Sequence, residues 1–230
     1  MIISHKYRFI FLKTGKTAGT SIEIALSEYC GAEDIITPIK PEDELIRRSL
    51  GFRGPQNYLE PDTPAAASAT GQPGPGTPNH KFYNHIPAIQ IKARVAASVW
   101  SGYYKFCFER HPCERVISHY FSHYQCEPRP TLSEFIDSNA TMLRLKRTGY
   151  DAYTIDDKVV VDKIGLYESL ETDLEAFRVH VGLPQPLSLP RAKARFRIDH
   201  RHFREVLSSE ERAKIARVFA QEIALFGYEC

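Results

Sequence analysis

Residues 9–21, Phe-Ile-Phe-Leu-Lys-Thr-Gly-Lys-Thr-Ala-Gly-Thr-Ser, decide how the chain is read. Tyr7 to Leu12 is a short, mostly apolar run, the pattern of a strand covered on both faces. A tight loop of small residues carrying Lys16 follows. Ile22, Ala25, Leu26 and Tyr29 then repeat at helical spacing, and Gly31 supplies the stop. Thr20 with Glu23 three residues later has the capping-box pattern. The first N–H groups of a helix have no carbonyl partner and sit at the positive end of its dipole, so this junction is an anion site. Lys16 adds a full charge at the same place.

Working outward, the 230 residues suffice for one α/β domain over 1–230 with a substantial core. The chain is 43% hydrophobic and 25% charged, an ordinary composition for a folded soluble domain. Thirty basic residues against 28 acidic ones leave a net charge of +2, which argues against a general nucleic-acid binder. No apolar run approaches the roughly 20 residues of a membrane span, and no signal peptide is apparent. Five cysteines in a chain of this length read as free thiols in a reducing cytoplasm. Residues 54–79, rich in Pro, Gly and Ala, cannot offset their ordering entropy by apolar burial and read as a flexible insertion.

A second strand–loop–helix unit follows. Tyr103 to Phe108 is an aromatic-rich strand candidate ending at Glu109-Arg110-His111-Pro112. Pro112 opens a helix with Val116, Ile117, Tyr120, Phe121 and Tyr124 on one side. Pro87 similarly opens a helix predicted to run as far as Trp100. Val159–Val161 and Ile164–Tyr167 read as a further strand region, and Leu170, Leu174, Phe177 and Val181 form a helical stripe ended by Gly182. Thr131 to Glu134 and Ser208 to Glu211 are capping boxes. This alternation predicts an α/β fold with a mostly parallel central sheet flanked by helices, and ligands at the carboxyl ends of its strands.

Gly15-Lys16-Thr17 invites comparison with a P-loop kinase that uses ATP. That motif needs a glycine five positions before Gly15, to wrap a phosphate with backbone N–H groups, and Ile10 stands there. His119 and His123, flanked by Cys113 and Cys126, match no established zinc spacing.

Lys16-Thr-Ala-Gly-Thr-Ser21 after an apolar strand resembles the 5′-phosphosulfate loop of sulfotransferases that use 3′-phosphoadenosine 5′-phosphosulfate (PAPS), in particular the carbohydrate-type enzymes and their bacterial relatives. Gly15 stands where that family commonly has proline, a change expected to loosen the loop. Arg110-His-Pro-Cys-Glu-Arg115-Val-Ile-Ser118 resembles the family's 3′-phosphate motif, with Arg110 and Ser118 at the matching separation and His111 in place of the commoner asparagine. Tyr167-Glu168-Ser-Leu and the terminal Phe226-Gly-Tyr228 echo two further family segments.

The resemblance implies a P-loop-like sulfotransferase fold, PAPS as cosubstrate, no metal, and a hydroxyl-bearing acceptor, of the sugar or glycoconjugate class. It assigns Lys16, Thr17, Ala18, Gly19, Thr20 and Ser21 to the 5′ phosphosulfate, and Arg110 and Ser118 to the 3′ phosphate. Lys16 would stabilise the leaving group. His85, in His-Ile-Pro-Ala, resembles a family histidine in the acceptor cleft and is the first candidate for the base, with His80 and Glu109 as alternatives. A protein that kept the fold and binds the nucleotide without turnover remains a third reading. Lys13 reads either as a phosphate contact or as solvent-facing. The basic run Arg191 to Arg204 reads as a cover over the 3′ phosphate, a receptor for an acidic acceptor or a solvated loop. Trp100 and Tyr103 could stack on adenine, though core packing suits them better.

Overall fold

Alternation along two strands sets the layers. Phe9, Phe11, Phe106 and Phe108 turn to one face, while Ile10, Leu12 and Cys107 turn to the other, and all are buried. The computed structural model describes residues 1–60, 80–190, 199 and 201–230. In chain order these form β1 (Ile2–Ser4), β2 (Phe9–Phe11), α1 (Gly19–Ser27), β3 (Ile35–Ile36), α2 (Pro41–Ser49), α3 (Ala88–Arg94) and α4 (Ala97–Gly102). Then come β4 (Tyr104–Glu109), α5 (Pro112–His123), α6 (Leu132–Asp137), α7 (Asn139–Arg147), α8 (Tyr150–Tyr153), β5 (Thr154–Ile155) and β6 (Lys158–Val159). The last are β7 (Lys163–Leu166), a single 3-10 turn, α9 (Leu170–Val181), α10 (Phe203–Val206), α11 (Ser209–Val218) and α12 (Ala220–Phe226).

The central sheet has the order β3-β1-β2-β4-β7. It is mixed: β3, β2, β4 and β7 point one way, and β1 runs against them. β2 pairs β4 and β4 pairs β7 in parallel, whereas β1 runs antiparallel to both β2 and β3. The reason is local. Four residues join β1 to β2, enough for a hairpin and far too few for a parallel crossover. Asp34 holds that turn by accepting the His5 and Lys6 N–H groups. β5 and β6 make a separate hairpin, so only the Ile164 part of the expected third strand region joins the sheet.

Helices cover both faces. α1 and α9 bury Ile22, Leu26, Leu174 and Phe177 against the phenylalanine face. On the other face lie Phe82, Ile86, Ala88, Ile91, Tyr150 and Tyr153. α5, α6, α10 and α11 build a further cluster among themselves. Both later capping boxes form, at Thr131/Glu134 and Ser208/Glu211. The helix expected from Pro87 to Trp100 is broken at Val95 and Ala96, and the one starting at Ser208 is broken at Phe219. Of the expected 54–79 insertion, residues 54–60 lie against β3 through the Ile36–Gln56 bridge, and 61–79 lie outside the described residues. No helix among the described residues is long and apolar enough to cross a membrane.

The Thr20–Glu23 pair does not cap α1. The helix follows Ala18, with no side-chain cap, and Glu23 is fully buried instead. Its carboxylate receives the Lys13 ammonium at 2.8 Å, the Met1 amine at 2.9 Å, the Thr37 hydroxyl at 3.0 Å and the Arg47 guanidinium at 3.7 Å. Burial alone would push this carboxyl up. Lys13, the amine and Arg47 outweigh it and hold the group at about 2. One carboxylate therefore joins β1, the loop after β2, α1 and α2.

Removing one partner of a buried ion cluster typically costs roughly 3–5 kcal/mol, because the remaining charges stay buried. Glu23→Gln is expected to lose about that much in urea denaturation at neutral pH. A carboxyl whose folded value lies below its unfolded one contributes stability above the unfolded value and loses it as pH falls. The difference between wild type and variant should therefore shrink as pH falls from 4.5 towards about 2.

Candidate active site

The carboxyl ends of β2, β4 and β7 lie along one edge of the sheet, and the segments that leave them meet there. A cavity of about 360 Å³ opens at this edge. Its walls contain Lys16, Thr17, Ala18, Gly19, Thr20 and Ser21 from the first unit, Arg110 and Ser118 from the second, and His85 from the segment before α3. All nine candidates from the sequence come together in it.

The loop from Lys13 to Ala18 is fixed by its own polar groups. The Thr14 hydroxyl donates to the Phe108 carbonyl, at the end of β4. Thr14 and Thr17 hydroxyls lie 2.8 Å apart. Since the Thr14 proton is already committed, Thr17 donates to Thr14, and its hydroxyl has no proton left for an anion. Lys16 and Ala18 both take left-handed conformations, with φ of 67° and 60°. Such residues cost free energy and cluster where backbone must be turned towards a ligand. Ala18 leads into α1 with no side chain to cap it, so the helix start faces the cavity as bare backbone.

Two glycines are dictated by close approach. A Cβ on Gly15 would lie 2.5 Å from the Thr148 hydroxyl oxygen, and one on Gly19 would lie 2.8 Å from Cγ of Lys13. Gly15 also donates its N–H to the Thr148 carbonyl at 2.6 Å. Proline could not make that bond. The expected loosening at Gly15 is therefore reversed: here the loop is tied to the end of α7.

Lys13 is not solvent-facing, although it contributes to the cavity wall. It is 3% exposed and paired to Glu23 beneath the loop. Its carbonyl instead lies 2.9 Å from Nδ1 of His85. A carbonyl only accepts, so Nδ1 carries the proton and Nε2 keeps its lone pair. Burial, and then the Lys13 charge, lower the His85 pKa to about 3, which leaves the ring neutral at physiological pH. The backbone of His85 is left-handed as well, at φ 61°.

Arg110 stacks its guanidinium 4.1 Å from the Tyr167 ring centroid and reaches Glu114 at 3.4 Å. The two alternatives to His85 are displaced. Glu109 is fully buried and accepts from Arg115, from Tyr153 at 3.1 Å and from the Arg110 N–H at 3.1 Å. It is a structural carboxylate. His80 bridges to Leu59 and packs edge-on to Tyr58, outside the cavity wall. Trp100 and Tyr103 pack against the cluster around Ile10 and Phe82, not in the cavity.

Sequence reasoning missed several wall residues: Asn84, His119, Arg144, Thr148 and Tyr167. His119 directly follows Ser118, which was a usable signal. Arg144 and Thr148 belong to no local motif and arrive only through the packing of α7. Burial, followed by Lys16 and Arg144, lowers the His119 pKa to about 4. No carboxylate from the described residues lines the cavity, whose walls include Lys13, Lys16, Arg110 and Arg144. Leu189 and Pro190 complete one side. In the basic run that follows, 191–198 and 200 lie outside the described residues, while Arg201 pairs with Asp199 and Arg204 with Glu229.

The family segments are joined to one another. Glu168 accepts the His111 N–H at 2.8 Å and the Tyr228 hydroxyl at 3.2 Å. His111, in place of asparagine, stacks on Phe203 at 4.3 Å. A model of the sulfotransferase family matches residues 1–229. An uncharacterized protein of Archaeoglobus fulgidus is 37% identical over 106 residues, covering 45% of this chain and 88% of its own. No solved structure matches.

Gly15→Ala is expected to destabilise the protein by about 1–3 kcal/mol through overpacking against Thr148. Adding Thr148→Ala removes the nearest atom, and the double variant should recover part of that loss in a urea titration.

Proposed function

Since this chain belongs to the sulfotransferase family, we propose that residues 1–230 act as one unit that transfers a sulfuryl group from PAPS to a hydroxyl of a sugar or glycoconjugate. The observation that carries this reading is a cavity with Lys16, Arg110 and Arg144 in its walls, an uncapped helix start, and no lining carboxylate among the described residues. A donor with a 5′ phosphosulfate and a separate 3′ phosphate needs two anion sites, and the cavity joins two strand–loop–helix units. The close approaches at Gly15 and Gly19 keep the loop low enough for backbone N–H groups to reach an anion.

PAPS supplies the sulfuryl group and a phosphate leaving group when bound. The N–H groups at the start of α1, with the hydroxyls of Thr20 and Ser21, hold the 5′ end. The Lys16 ammonium stabilises the charge that grows on the bridging oxygen as the bond to sulfur breaks. Arg110 and Ser118 hold the 3′ phosphate, the guanidinium keeping its seat on Tyr167. His85 accepts the acceptor's proton at Nε2, while the Lys13 carbonyl fixes the tautomer through Nδ1–H. Burial is the first cause of the low His85 value and the Lys13 charge the second, and an anionic donor near Lys13 offsets that second part, which makes the ring more basic. The ATP-dependent reading is weaker, because Ile10 stands where the phosphate-wrapping glycine is needed and no carboxylate among the described residues lines the cavity for Mg²⁺.

Titration of the desulfated product, 3′-phosphoadenosine 5′-phosphate, without metal tests the reading most directly. Binding is expected, and its absence in folded protein at high concentration would sink the proposal. Lys16→Ala should lower transfer by about 10²–10³-fold with the fold intact. Arg110→Ala should weaken nucleotide binding by about 10–100-fold.

His85→Asn should lower kcat by about 10²–10⁴-fold and leave nucleotide binding unchanged. In wild type, kcat/KM should show no inflection at 6.5, because the His85 of the free enzyme titrates near 3.

A further inference from the structure

Outside the cavity, one cluster of metal-ligating side chains has no task in the chemistry above. A ring nitrogen of His111 and the Sγ atoms of Cys113 and Cys230 all lie within 4.8 Å of one another. His111 precedes α5, Cys113 is in its first turn, and Cys230 follows α12. None of the three lines the cavity. The zinc arrangement considered in the sequence, with His119 and His123, does not assemble. Cys113 lies with His111 and Cys230 instead, and Cys126 is exposed.

We propose that His111, Cys113 and Cys230 form a structural site for a thiophilic divalent cation, zinc by preference. The tautomer of His111 is the central argument. Its Nε2 lies 3.0 Å from the Glu229 carbonyl, which only accepts, so Nε2 carries the proton. Nδ1 then holds a lone pair, and this atom is buried without a hydrogen-bond partner in a residue only 9% exposed. A buried lone pair facing no donor is costly, and a metal ion satisfies it. Ligating histidines characteristically donate their other ring N–H to a carbonyl or carboxylate, as His111 does to Glu229.

The ligand set suits the ion. Two thiols and an imidazole favour zinc over hard cations. The two Sγ atoms are 3.2 Å apart. Zinc–sulfur bonds of about 2.3 Å in tetrahedral geometry require roughly 3.8 Å, so the thiols must part by about half an ångström. Cys230 is half-exposed, which permits that shift and leaves room for a water as fourth ligand. On binding, each thiol releases its proton to solvent and coordinates as thiolate. The ion would pin Cys230 to the start of α5, next to Arg110, and so brace one wall of the cavity from outside.

Cobalt(II) reports on such sites. Adding it to the reduced full-length protein in metal-free buffer should give a thiolate-to-cobalt charge-transfer band and a tetrahedral visible band, saturating at one equivalent and displaced by zinc. Zinc should raise the melting temperature and protect the half-exposed Cys230 from alkylation. Cys230→Ser, a change at a half-exposed position, should abolish the charge-transfer band while the thermal transition of the metal-free protein stays in place. Cys113→Ser should do the same if it folds. Absence of the band in folded, reduced protein at excess cobalt would overturn the proposal, as would a band that survives Cys230→Ser. Isolation of a Cys113–Cys230 disulfide that takes up no cobalt after reduction would overturn it too.

Discussion

The architecture depends on the buried carboxylate of Glu23. Lys13, at the start of the loop after β2, is only 3% exposed beneath it. Left alone there, the ammonium would destabilise the fold by its lost hydration. Glu23 removes that problem by holding Lys13, Arg47 and the Met1 amine together. Lys13 then becomes a rigid strut. Its stem packs under Gly19, and its carbonyl orients His85. Lys16 projects from the loop above it at the cavity wall.

The second unit repeats this logic with different residues. Glu109, at the end of β4, is buried against Arg115 and Tyr153, and Arg115 reaches Glu222 on α12 at 3.5 Å. Burial alone would lower the Arg115 pKa, but Glu109 and Glu222 raise it. The guanidinium therefore stays charged and fixes the turn from which Arg110 projects. Arg115 also donates to the Leu145 carbonyl at 3.0 Å, which brings in α7 and with it Arg144 and Thr148. Each half of the site thus stands on a buried acid whose charge is satisfied behind the wall. Arg110 reaches Glu114 at 3.4 Å from the cavity wall, and no carboxylate among the described residues lines the cavity itself.

That separation governs the histidines. His85 and His119 lie in a positive, partly dehydrated environment, and both are kept neutral well below the ordinary imidazole range. A neutral imidazole can accept a proton without first losing one. The arrangement also couples the base to its surroundings. Burial is the larger cause of the low His85 value, and the Lys13 charge adds to it, so an anion bound nearby would offset only the second part.

The sequence determined the local features, because they depend on spacing and residue type. Apolar runs, Gly and Pro punctuation and Lys16–Ser21 and Arg110–Ser118 located the two strand–loop–helix units and the residues that line the cavity. Both later capping boxes were legible because a cap involves residues only three apart. What spans the chain was not legible. The pattern Thr20/Glu23 is the same whether Glu23 caps a helix or is buried, and the choice was made by Lys13, Arg47 and Met1 arriving from other elements. Glu109 looked like a site residue because it is adjacent to Arg110, but packing buries its side chain against Arg115 and Tyr153. The mixed sheet followed from the length of one hairpin. The cluster of His111, Cys113 and Cys230 joins residues up to 119 positions apart. Only the packing of α12 beside α5 could bring them together, since side-chain direction is fixed by the whole core and not by neighbours in sequence.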